Sequence, residues 1–174
     1  MTDGKQLKMP KARTTRVSTI SRLLWIVIAA LVLAGDQVTK ALVEATIPEH
    51  TTVVVFPHLL NLIHTNNAGA AFGLFSESPA PWKTALLIVV SSALLVLVIA
   101  VMWRSQKLRR GTGVGLPLIL GGALSNLLDR MRLGRVVDFL DVYYRSYHWP
   151  TFNLADCAIV VGAGLLVFQL LFLD

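Results

Sequence analysis

The chain has 174 residues, of which 55% are hydrophobic and only 15% charged, with a formal net charge of +6 and a mean hydropathy of +0.64. A soluble domain carries about 25% charged residues, and here the apolar residues come in blocks rather than amphipathic stripes, the pattern of a polytopic membrane protein. The single cysteine, Cys157, excludes an internal disulfide and a thiolate metal cluster, and the basic residues gather beside the apolar blocks, where they set membrane orientation rather than bind nucleic acid.

Residues 1–22 form a basic tail carrying Lys5, Lys8, Lys11, Arg13, Arg16 and Arg22 against Asp3 alone. The first apolar block follows at 23–46, interrupted by Asp36, Lys40 and Glu44. It is long for the core of a cleavable signal peptide, and no small-x-small site follows it directly, so it reads as an uncleaved span. Asp36 and Lys40 are four apart and share one helix face. A charge near the bilayer centre costs at least about 3 kcal/mol, which makes such a group a functional candidate. The simpler expectation is a structural ion pair that ties this helix to its neighbours.

Residues 47–82 contain "HTTVVVFPHLLNLIHTNNAGAAFG", whose β-branched residues and Pro and Gly punctuation predict short strands lying on the membrane surface. Asn67 and Gly69 within it read as a turn from the residues alone. Residues 84–103 lack any charge and are long enough to cross a hydrocarbon core of about 30 Å. A third span is expected over 111–130 and a fourth over 150–173, which contains a single charge, Asp156.

With the tail and the basic segment 103–110 both cytoplasmic, 47–82 and 131–149 lie outside. The inner side then holds ten Lys or Arg, and the outer side holds five: Lys83, Arg130, Arg132, Arg135 and Arg145. At the end of the third helix, Gly121 and Ser125 form a small-xxx-small pair suited to close helix packing. Asn126, Asp129 and Arg130 fall on one face there, a spacing suited to a hydrogen-bonded network.

Asp138 follows the third helix, in what reads as an outer loop. Asp156 lies seven residues after Trp149, about 10 Å below the expected helix start. The intervening chain is long enough to turn back and bring the two carboxylates to one depth. Two carboxylates held close share a proton, so one activates water while the other polarises a carbonyl. The competing expectations are that each aspartate pairs with an arginine (Arg130, Arg132 and Arg135 are near) and that Asp141 takes the place of Asp138. A zinc protease is disfavoured because H-E-x-x-H is absent and His58, His64 and His148 are scattered. His64 and His148 read as interfacial surface residues, and Ser125 lacks the G-x-S-x-G context of a nucleophile elbow.

Taken in order, "NNAGAAF", "GGALSNLLDR", "GRVVDFLDV" and "FNLAD", with Asp36 and Lys40 upstream, resemble the lipoprotein signal peptidase family. The resemblance runs from helix one to helix four. It implies a four-helix inner-membrane aspartic endopeptidase with an extracytoplasmic β-rich cradle, in a single membrane domain over 23–174 that works without metal or cofactor. It implies prolipoprotein substrates already carrying a diacylglyceryl group, cut just before the lipidated cysteine. By motif position it makes Asp138 and Asp156 the catalytic pair, deciding against Asp141. Asn67, Gly69, Asn126, Arg130, Asn153 and Ala155 then shape the site, and Asp36, Lys40 and Asp129 support it. The chain is taken as a monomer whose partners are these precursors and membrane lipid, with no nucleic acid. The alternative is a small proton-coupled transporter using Asp36, Lys40 and Asp156, which four spans without inverted-repeat symmetry disfavour.

Overall fold

A helix long and apolar enough to cross a membrane has no soluble solution except burial, and three helices among the described residues are of that kind. In the computed structural model, residues 19–68, 81–104 and 114–172 are described. The order is α1 (Thr19–Thr46), β1 (Thr52–Phe56), β2 (Leu60–Asn67), α2 (Pro81–Arg104), α3 (Gly115–Leu133), β3 (Val136–Tyr144), β4 (Tyr147–His148) and α4 (Leu154–Phe172). Over α1, α2 and α4 the stretches Leu23–Thr46, Trp82–Trp103 and Leu154–Phe172 are long and apolar enough to cross a membrane. Their exposed faces carry Leu24, Leu31, Val89, Leu97, Val160 and Phe168, an outer surface suited to lipid rather than water.

Helix α3 is the polar member. It packs against α1, α2 and α4, and small residues let it come close. A Cβ on Gly121 would sit 2.6 Å from the Ala29 carbonyl oxygen of α1, and one on Gly122 would collide with the Ala155 carbonyl of α4. One turn of α3 therefore touches two neighbouring backbones, as small residues at helix crossings allow.

The strands form one antiparallel sheet in the order β1-β2-β3-β4. β2 runs beside β3 with Thr65 opposite Asp138 and Asn61 opposite Asp141, and a register shift lies between Leu62 and Thr65. Phe139 of β3 packs with Val43 and Ile47 at the end of α1, which seats the sheet on the helices. β1 faces outward along its whole length.

Element boundaries differ from the sequence-based expectation at two informative places. Helix α3 continues to Leu133, and Gly134 in the left-handed region (φ 71°) closes it by donating its N–H to the Arg130 carbonyl. The chain then enters β3 directly, so Asp138 lies in a strand and not in a loop. Helix α4 begins at Leu154 rather than 150, because the residues before it are used otherwise. Phe152 bridges to Leu140 of β3, and its carbonyl accepts from the N–H groups of both Phe139 and Leu140. Asp156 is consequently in the first turn of α4 and not about 10 Å along it.

Candidate active site

The first turn of a helix leaves N–H groups without partners, and Asn followed three residues later by an acid answers that need from both sides. Here the Asp156 N–H donates to Asn153 Oδ1 at 2.9 Å, and the Asn153 N–H donates back to Asp156 Oδ2 at 3.3 Å. This capping box fixes the Asp156 side chain at the mouth of α4. It also fixes the Asn153 amide with its oxygen toward the helix, leaving Nδ2 to point elsewhere. That nitrogen donates to Asp138 Oδ1 at 2.7 Å. One asparagine thus holds both carboxylates, one from a strand and one from a helix.

Each acid has a second amide. Asn67, the last residue of β2, donates from Nδ2 to Asp138 Oδ2 at 2.9 Å. Asn126 of α3 donates from Nδ2 to Asp156 Oδ1 at 2.7 Å. Asp138 is 1% exposed, while Asp156 is half-buried. Among the described residues no Arg or Lys reaches either carboxylate at ion-pair distance, so the aspartate–arginine pairing does not form. Burial pushes the Asp138 carboxyl up from 3.8 to about 6, against the Asn67 hydrogen bond and with the Asp156 charge adding to the rise. A nearly dry carboxylate cradled by neutral amides, as Asp138 is, is suited to holding a proton near neutral pH.

Arg130 donates from Nη1 to the Asn126 carbonyl at 3.2 Å, and its guanidinium feels the charges of Asp156, Asp138 and Asp129. Below the pair lies a second polar layer. Lys40 Nζ is 2.6 Å from Asp36 Oδ2 and 2.6 Å from Asp129 Oδ2, and it donates to Asn126 Oδ1 at 3.1 Å. Asp36 also accepts from Ser125 Oγ at 2.7 Å and from the Ala155 N–H at 2.8 Å. That last contact explains why position 155, wholly buried, is small. The Ala155 N–H must meet Asp36 while its carbonyl lies against Gly122. Asp36 and Lys40 are therefore the expected ion pair, joined to α3 and α4.

Asp141 is directed elsewhere. Asn61 Nδ2 donates to its Oδ2 at 2.8 Å, and His148 Nδ1 lies 2.8 Å from its Oδ1. His148 also stacks on Tyr143, with ring centroids 5.0 Å apart. His64 is buried rather than interfacial, with Nδ1 2.9 Å from the Ile47 carbonyl oxygen, because β2 turns it toward the end of α1. Gly69 lies outside the described residues, as do most of the basic tail and the basic segment after α2.

Gln37, which sequence reasoning passed over, joins the second polar layer and not the acid pair. Gln37 Nε2 donates to Ser125 Oγ at 2.9 Å and to Asp129 Oδ1 at 2.7 Å. Ser125, considered only as a nucleophile or a packing residue, is a donor to the buried acid. Its position one residue before Asn126 was the available signal, since a buried hydroxyl needs a partner. Among the described residues no three His, Cys, Asp or Glu side chains converge as metal ligands.

A family model for signal peptidase II matches residues 28–172. The chain belongs to the signal peptidase II family. It is 46% identical over 144 residues to the lipoprotein signal peptidase of Solibacter usitatus, covering 83% of this chain and 88% of that one. It is 42% identical over 160 residues to that of Pseudomonas paraeruginosa, covering 88% and 91%. Two solved structures, each described as a bacterial membrane enzyme, resemble it at 32% identity with TM-scores of 0.76 and 0.74. They cover 85% and 86% of this chain and 87% and 93% of their own. The chain is thus a peptidase with apolar helices suited to a membrane, and this kinship gives the proton-coupled transporter no support.

Proposed function

We propose that the chain is a four-span aspartic endopeptidase of the bacterial cytoplasmic membrane. On this reading it removes signal peptides from diacylglyceryl-modified prolipoproteins by cutting just before the lipidated cysteine. The observation that carries the reading is Asn153, whose side chain and backbone hold Asp138 and Asp156 together, with no cation among the described residues at ion-pair distance from either.

In the proposed reaction, the ionised carboxylate takes a proton from a water whose oxygen attacks the scissile carbonyl carbon. The protonated carboxyl donates to the carbonyl oxygen as it gains charge. The tetrahedral adduct collapses when a proton reaches the amide nitrogen, the C–N bond breaks, and the pair again holds one shared proton. Asn67, Asn126 and Asn153 keep both acids in place throughout. No residue of the chain forms a covalent intermediate.

Helix α3 serves as the fourth span, because its Ser125, Asn126 and Asp129 turn toward partners on α1 and α4 instead of lipid. The basic tail and the segment 103–110 face the cytoplasm, and the sheet and the acid pair lie at the outer interface. Exposed Val54, Phe56, Leu59, Tyr147 and Trp149 on the hairpins suit that boundary.

A diacylglyceryl chain in the bilayer contributes about 0.8 kcal/mol per buried methylene, and spending it on alignment matters because a displacement of about 1 Å can cost ~100-fold in rate. The test is cleavage of matched lipidated and unlipidated precursors by the purified protein in detergent, with and without chelator. The lipidated precursor should be cut before its cysteine, and the unlipidated one should turn over more slowly even at saturation. Chelator should change neither rate. Equal turnover of the two precursors would remove the lipid from the mechanism, and chelator inhibition reversed by added metal would replace the acid pair with a metal site.

A further inference from the structure

An ammonium has three N–H donors and no acceptor, and Lys40, 3% exposed, uses them on three different groups. Two go to Asp36 and Asp129, which is enough to neutralise the cation and tie α1 to α3. The third goes to Asn126 Oδ1 and has a separate consequence. A side-chain amide can be turned either way round, but a donor-only group facing it demands the oxygen. Asn126 Nδ2 is then left to face Asp156 Oδ1. The same oxygen accepts from Asn153 Nδ2 at 3.2 Å, and that nitrogen also serves Asp138 Oδ1.

We propose that Lys40 is a positioning residue for the acid pair, its third N–H fixing the Asn126 amide so that Asn126 and Asn153 both present N–H groups to Asp156 and Asp138. The inference rests on the aspartic-pair reading above. The charged groups facing Lys40 are Asp36 on α1, Asp129 on α3, Asp156 on α4 and Asp138 on β3. Among them Lys40 is a cation whose field favours the ionised form of Asp138. Its removal therefore acts twice, by freeing the amide and by shifting the pH at which the pair loses its proton.

The experiment compares Lys40→Met, Lys40→Gln and Gln37→Leu in the full-length purified protein, with rates per folded molecule on a lipidated precursor. Gln37→Leu breaks two hydrogen bonds of the same layer without touching Asn126. It should lower the melting temperature and leave kcat and the pH profile in place. Lys40→Met should lower kcat on the order of 10–100-fold with KM little changed, and move the pH profile to higher pH because the opposing cation is gone. Lys40→Gln keeps a donor without the charge, so it should recover part of kcat while showing the same alkaline displacement. It also carries the test should Lys40→Met fail to fold. An unmoved pH profile and unchanged kcat in Lys40→Gln, or a kcat loss matched by Gln37→Leu, would overturn the assignment. Asp138→Asn is run beside them. If that variant still turns over, the acid-pair reading fails; if it is silent while Lys40→Gln is unmoved, only the role of Lys40 falls.

Discussion

Two polar layers lie against each other in this helical bundle, both built on pairs of aspartates, and they differ in what the carboxylates touch. Asp36 and Asp129 each meet Lys40 at 2.6 Å. Among the described residues, Asp138 and Asp156 meet neutral donors at hydrogen-bond distance and no cation at ion-pair distance: the amides of Asn67, Asn126 and Asn153 and one backbone N–H. A carboxylate paired with a buried cation holds helices together. Removing one partner of such a pair costs about 3–5 kcal/mol. A dry carboxylate held by amides keeps its geometry but remains able to take up a proton. On the proposed mechanism, the partner, and not the acid, separates a structural aspartate from a reactive one.

Apart from the proposed catalytic acids themselves, the contrast is broken most severely at Asn153, which holds both of them and caps α4. Asn153→Ala should lower kcat/KM on the order of 100–1,000-fold, as for the loss of groups that orient an acid–base pair; steady-state cleavage of a lipidated precursor reads it. Asn67→Ala removes a donor from Asp138 alone, and a loss nearer 10-fold is expected in the same assay.

The pH dependence sharpens the comparison. Asp138 is raised from 3.8 to about 6, so the fold disfavours its ionised form. Its contribution to stability is fully present below pH 3.8, falls as pH rises toward about 6, and is flat above. For activity, kcat/KM should fall as pH rises through about 6 and the shared proton leaves. The corresponding limb of kcat should lie higher, because a bound precursor excludes more water and pushes the carboxyl up further. Initial rates at low and saturating substrate across pH 4–9 separate the two limbs.

Packing gives a smaller effect with the opposite character. Gly122→Ala forces a methyl against the Ala155 carbonyl, separating α3 from α4 beside both layers. It should cost about 1–3 kcal/mol, read as a lower melting temperature, with activity falling in step. Smallest of all, Asp141→Asn disturbs the contacts with Asn61 and His148 and should change kcat less than about threefold, since an amide retains one acceptor for Asn61.

Much of this was legible in the sequence, for identifiable reasons. Long apolar runs, uncharged in α2 and with one charge in α4, made both helices plain, and charges four apart placed Asp36 and Lys40 on one face. The strand character of 52–67 showed in its β-branched residues. The sequence placed Asp138 in a loop because β3 follows α3 after only Gly134 and Arg135, and a helix C-cap is a single-residue signal. It placed Asp156 too deep because Pro150 and Phe152 read as helix, whereas Phe152 is taken by backbone hydrogen bonds to β3. The N-x-x-D capping box was present and would have put the helix start at 154. Which acid each amide serves depends on long-range contacts such as Asn67 with Asp138 and Asn126 with Asp156, and local pattern does not encode them.

The central claim is tested most directly by changing each aspartate to asparagine, one at a time, at 36, 129, 138, 141 and 156. Melting temperature and turnover of one lipidated precursor are then measured on every purified variant. The account predicts two classes, apart from the mild Asp141→Asn. Asp138→Asn and Asp156→Asn should lose turnover by at least about 1,000-fold while melting close to the parent protein. Asp36→Asn and Asp129→Asn should melt lower yet retain measurable turnover per folded molecule. Turnover surviving in Asp138→Asn or Asp156→Asn, or a silent but fully stable Asp36→Asn or Asp129→Asn, would contradict it.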